Sequence, residues 1–94
     1  MKSPYKISWS RQFKKDYRLA MRRHGKGIGK LDTIIDALAN GEELPAANRD
    51  HALSGRWANH HECHIAPDWL LIYLIHENVL ILELTRTGSH SDLF

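Results

Sequence analysis

The chain has 94 residues, enough for one domain with a modest core and too few for two. Hydrophobic residues make up 43% of it, a globular share that argues against disorder, and no apolar run nears the about 20 residues a membrane helix needs. The net charge of +2 conceals a split: residues 1–30 hold ten Lys or Arg against Asp16 alone, while the remainder holds three basic residues against ten acids. Charge this lopsided points to a basic face for nucleic acid or another polyanion. The opening "MKSPYKISWS" has no apolar signal-peptide core, and the single cysteine, Cys63, cannot form an internal disulfide. A reducing cytoplasm is the expected compartment.

In chain order, "YKISWS" alternates and is rich in strand formers, so a short first strand is expected, with Ser10 as a cap for the next element. From Arg11 to His24, Phe13, Tyr17, Ala20 and Met21 recur at helical spacing with Lys and Arg between them. "HGKGIGK" breaks that helix; it comes after a helix and lacks Gly-Lys-Ser/Thr, so it reads as a turn and not as a phosphate loop. Ile28, Leu31, Ile34, Ile35 and Leu38 make a second apolar stripe over 28–39, closed by Gly41 and Pro45. A loop through "AANRDHALSG" leads to three strand candidates, Trp57–Ile65, Trp69–Ile75 and Val79–Thr85, with turns at Pro67-Asp68 and Glu77-Asn78. The order β-α-α-β-β-β predicts an α+β fold, two N-terminal helices packed on one face of an antiparallel sheet with the other face partly open.

Acid–base residues gather in the second half: His51, His60, His61, His64, Asp68 and His90, with Arg86 beside them. Cleavage of RNA needs a base for the ribose 2′-OH, a donor for the crowded phosphate and an acid for the departing 5′-oxygen, and histidine is suited to moving those protons near neutral pH. His60 and His64 are in phase on a strand, and with His51 and Asp68 nearby they raise a zinc alternative, though the spacing matches no ligand signature. His24 and His76 read as helix-end and turn residues, and Cys63 as a partly buried side chain.

Three segments, "RDHALSGRW", "CHIAPDWLLIY" and "RTGSHSDLF", carry the pattern D-H-x-L-x-G-x-W, H-x-x-P-D-W-x-L-I-Y and R-T-G-[ST]-H. In this order and spacing the chain resembles the YafQ-like branch of the RelE toxin superfamily, over residues 1–94 as a single toxin domain. The resemblance implies a microbial-RNase-like fold and the toxin half of a type II toxin–antitoxin pair. It also implies a ribosome-dependent endoribonuclease that cuts messenger RNA in the decoding site, uses no metal or other cofactor, and is silenced by a cognate antitoxin. By the same resemblance His51, His64, Asp68, His90 and Arg86 are the catalytic set. His90 and His51 share acid and base work, His64 and Asp68 orient or protonate, and Arg86 holds the phosphate. Trp69 lines the substrate site and Phe94 stacks on a base. Lys14, Lys15, Arg18, Arg22 and Arg23 of the basic helix then grip ribosomal RNA, and an acidic antitoxin segment competes for those charges. The alternatives are a gyrase poison of the same fold and an inactive antitoxin-binding protein.

Overall fold

Ser10 decides where the first helix begins. Its Oγ accepts the Phe13 N–H at 2.9 Å and donates to the Thr85 carbonyl at 2.9 Å, so the N-cap is also a tie to the last strand. We analysed a computed structural model that describes residues 4–94; Lys2 of the basic segment lies outside them. Replacing Ser10 by Ala removes both bonds, and an expected loss of about 1–2 kcal/mol would be read as a lower urea midpoint; an unchanged midpoint would refute this tie.

The elements run β1 (Lys6–Trp9), α1 (Arg11–His24), α2 (Ile28–Ala39), β2 (His51–Ala52), β3 (His61–Ala66), β4 (Trp69–His76), β5 (Ile81–Gly88) and α3 (His90–Leu93). Both long helices lie where the apolar periodicity places them. Gly25, at φ 54°, ends α1 in a conformation that favours glycine, and its N–H bonds the Met21 carbonyl. The α1 stripe differs in one position: Met21 is exposed, and Asp16 takes a buried place beside Phe13 and Ala20. Lys14, Lys15, Arg18 and Arg22 are exposed on the solvent side of the helix.

The sheet order is β1-β5-β4-β3-β2. β2 to β5 pair antiparallel, as short connections require, but β1 pairs parallel to β5. Almost the whole chain separates those two strands, so no tight turn dictates their direction. The expected β-α-α-β-β-β order holds, with two additions: the two-residue β2, in a segment read as loop, and α3, in the tail beyond the last expected strand. Trp57–Ile65 is not one strand. Gly55–Trp57 is a 3-10 turn and β3 starts at His61, which takes His60 out of phase with His64.

One face of the sheet carries the main core, where Phe13, Leu31 and Ile35 meet Leu71, Tyr73 and Leu84. The opposite face is not bare. Leu70, Ile72 and Leu93 form a second small cluster, flanked by Leu53 and Trp57. In β5 the residue Thr85 is extra, because Leu84 pairs with Tyr73 and Arg86 with Ile72. This bulge shifts Thr87 to the helix side, where its N–H reaches Asp16. Burial pushes the Cys63 thiol up to about 12, so it stays a protonated core residue. Among the described residues no helix is long and apolar enough to cross a membrane.

Candidate active site

Alternation along β3 turns Cys63 and Ile65 to the helices and Glu62 and His64 to the other face. There Glu62 is buried to 5% exposure and stands between two imidazoles, its Oε1 3.5 Å from His51 Nε2 and 3.8 Å from His64 Nε2. His51 arrives from the adjoining strand β2, its Cα opposite Glu62. The loop before it is pinned by Asp50, whose carboxylate accepts the Tyr73 hydroxyl at 2.7 and 2.8 Å. Burial, then this bond, raises the Tyr73 hydroxyl above its ordinary pKa, so it remains a donor. The Arg49 carbonyl, which can only accept, lies 2.7 Å from His51 Nδ1. Nδ1 therefore carries a hydrogen, and Nε2 is left to take or give a proton.

The second half of the site comes from the chain's last residues. Ser89 caps α3 by accepting the Asp92 N–H, and Asp92 reaches back to the Ser89 N–H at 2.9 Å. Arg23 of α1 holds the same carboxylate at 2.6 Å. This bond, with the one from Ser89, draws Asp92 down to about 2. Gly88 is required here by close approach, since a Cβ would meet Asp92 Oδ2 at 2.9 Å. So docked, α3 sets His90 on Asp68 twice: the backbone N–H donates to Oδ1 at 3.1 Å and Nδ1 lies 3.0 Å from the same oxygen. These two bonds hold the Asp68 carboxyl below its usual range. An ionised carboxylate accepts, so Nδ1 donates and His90 Nε2 is free. The His90 and His64 rings meet edge to face, their centroids 5.9 Å apart and their planes at 63°.

The structure thus joins four of the expected residues, His51, His64, Asp68 and His90, in one chain, and adds Glu62. No composition signal marks Glu62 among ten other acids; its place two residues before His64 on the same face of a strand is the available clue. Arg86 is close by but engaged. Its Nε and Nη2 donate to the Asp16 carboxylate at 2.8 and 3.2 Å, and the Asp16 hydrogen bond raises its pKa. Nη1 is left without an acceptor among the described residues. The anchor is Asp16, the lone acid of the basic segment, and no local pattern in the chain marks it for that place. Phe94 is 62% exposed at the end of α3.

Trp69 is not brought to this face. It is buried on the helix side, donates to Thr87 Oγ1 at 3.0 Å and stacks flat on His24 at 3.7 Å. The alternation of β4 sends it there with Leu71 and Tyr73. It touches the site only by lining, with Asp68, a cavity of about 200 Å³ between α1 and the end of β5. Arg23 is committed to Asp92, which separates it from the exposed cations of α1. His60 bonds the Ala58 carbonyl and stands against Trp57, away from His64. His61 turns to Tyr73 on the helix side. Among the described residues no group of three or more His, Cys, Asp or Glu is arranged to hold a metal ion.

Fold and site define a class: a small α+β protein with histidines and carboxylates gathered on one sheet face and the C-terminal rim, the arrangement of an acid–base enzyme. The family described as "Bacterial toxin of type II toxin-antitoxin system, YafQ" matches residues 5–94, and the chain belongs to it. It is 42% identical over 89 residues to the mRNA interferase toxin YafQ of Escherichia coli strain K12, covering 94% of each chain. The crystal structure of YafQ from E. coli strain BL21(DE3) superposes with a TM-score of 0.87 at 37% identity, over 96% of this chain and 98% of that one. YafQ in the E. coli DinJ–YafQ complex gives 0.85 at 38% identity, with the same coverage.

Proposed function

We propose that this protein is an endoribonuclease that cuts messenger RNA on the ribosome, in the cytoplasm of its bacterium, and is held inactive by a cognate antitoxin. One observation carries the reading. His90 is oriented by Asp68 through Nδ1 and His51 by a backbone carbonyl through Nδ1, so on one face His90 presents a free Nε2 and His51 presents an Nε2 backed by the Glu62 carboxylate at 3.5 Å. One removes the proton of the ribose 2′-OH as O2′ bonds to phosphorus. The P–O5′ bond breaks, and the other, protonated, gives its proton to O5′. The products are a 2′,3′-cyclic phosphate and a 5′-hydroxyl. His64, between Glu62 and His90, keeps the two halves in register. Arg86, steadied by Asp16, offers Nη1 to the phosphate. Phe94, exposed beyond His90, stacks on a neighbouring base.

The exposed Lys14, Lys15, Arg18 and Arg22 supply the charge for ribosomal RNA. The antitoxin reading is supported by the relative whose solved complex contains DinJ. The test offers one message to purified protein, naked and then seated on programmed ribosomes. Cuts are expected at the decoding site with ribosomes only; no cleavage in either form would remove the nuclease reading. Glu62→Gln keeps the volume and deletes the charge between His51 and His64. A fall of roughly 10-fold or more in cleavage is expected as their alignment loosens, and an unchanged rate would make Glu62 a bystander.

A further inference from the structure

Beside His64, at the edge of β3 beyond β2, a cavity of about 450 Å³ opens between the 46–49 turn and Pro67. Nothing in the proposed reaction uses it. Its floor is fixed: the Asn48 side-chain amide donates to the His64 carbonyl at 2.7 Å, tying the turn to the strand. Its wall carries Arg49, which ends the turn in a left-handed conformation at φ 48° and ψ 44°. Such a backbone is uncommon for a side chain of this size and is held by the Arg49 N–H on the Ala46 carbonyl. The Arg49 carbonyl is the one that orients His51. One residue therefore faces the cavity, sits next to His64 in it, and sets the tautomer of His51.

The guanidinium of Arg49 is exposed, and among the described residues no carboxylate or other acceptor holds it. At the other end of the site the cations have carboxylate partners: Arg86 pairs with Asp16 through Nε and Nη2, and Arg23 with Asp92. We propose that Arg49 and this cavity form a phosphate subsite for the RNA strand, gripping a phosphodiester next to the scissile one on the His64 side. The inference rests on the nuclease reading for its substrate. A guanidinium fork matches a phosphate's paired oxygens, and an arginine with no internal partner loses no ion pair when it binds one. The subsite explains why a left-handed turn is built around an arginine in front of the loop histidine: the strand's grip and the histidine's aim share one peptide.

Two arms test it on the full chain. In the first, a short 2′-O-methyl oligoribonucleotide, which cannot be cut, is titrated while the Arg49 side-chain Nε–H is followed by NMR. Arg49 is expected to shift, and Arg49→Gln to bind more weakly, with a salt slope lower by about one unit for the lost phosphate contact. An unmoved Arg49 signal, with equal affinity for the variant, overturns the subsite. In the second arm, ribosome-seated messages carry a neutral methylphosphonate at one position at a time. Wild type should lose roughly 10- to 100-fold in kcat/KM at one flanking position, as for a lost hydrogen bond to a charged group, and Arg49→Gln should be insensitive there. Equal sensitivity of both proteins at every position overturns the proposal while leaving the nuclease reading intact. No cutting by wild type removes the nuclease reading and with it a scissile-adjacent subsite; an Arg49 signal still shifting in the first arm would then mark an RNA-phosphate contact only.

Discussion

His90→Ala is expected to lower cleavage of ribosome-seated message by about 100- to 10,000-fold, the range for loss of a positioned proton carrier. Its structural cost should be small, because the ring is largely exposed and its anchor, Asp68, is a surface residue. Asp68 loses only one of its two bonds, since the His90 N–H stays on Oδ1. An intact urea midpoint together with lost cleavage would place the effect in chemistry. His90→Gln separates orientation from proton transfer: its amide can still meet Asp68 but cannot shuttle a proton, so it should be as inactive as the Ala variant. Near-normal cleavage by either variant would end the assignment of His90 and, with it, the role of the C-terminal rim.

Asp16→Ala is expected to be the costliest single charge deletion on the helices. The carboxylate is 8% exposed and accepts four donors: Arg86 Nε, Arg86 Nη2, the Thr87 N–H and the Gln12 amide. Its removal leaves a partly buried guanidinium and a backbone N–H unpaired. Breaking such a pair costs about 2–4 kcal/mol, at the lower side of the fully buried case because Arg86 retains some solvent. Arg86→Ala should cost at least as much, since it strands the more deeply buried partner. The double variant should cost less than the two single losses added, and denaturant midpoints of the three decide the matter. Additive losses would mean that the pair is not coupled. Cleavage by Asp16→Ala should fall further than its folded fraction, because the Arg86 guanidinium proposed to hold the phosphate loses its frame.

The same pair shows where reading the chain runs out. Asp16 and Arg86 are 70 residues apart, and a lone acid in a basic helix looks like solvated surface until a strand is laid against it. Trp69 fails for a related reason. Its neighbour Asp68 lies in the turn before β4, whereas Trp69 opens the strand on the same face as Leu71 and Tyr73, so the tryptophan belongs to the helix-side core. His60 fails locally: a strand begun at Trp57 puts it in phase with His64, and the Asn59 turn at φ 69° breaks that phase.

The sequence by itself determined the two long helices to the residue, since 3.6-residue periodicity, a serine cap and glycine stops are all local. The order of the main strands is legible as well, and three short motifs point to the histidines and the aspartate proposed for the site. Only the tertiary structure decided the parallel pairing of β1, the docking of α3 by Arg23, the buried place of Glu62 and the engagement of Arg86. Each of these depends on which distant backbone lies alongside, a choice made by packing of the whole core and carried by no short stretch of chain.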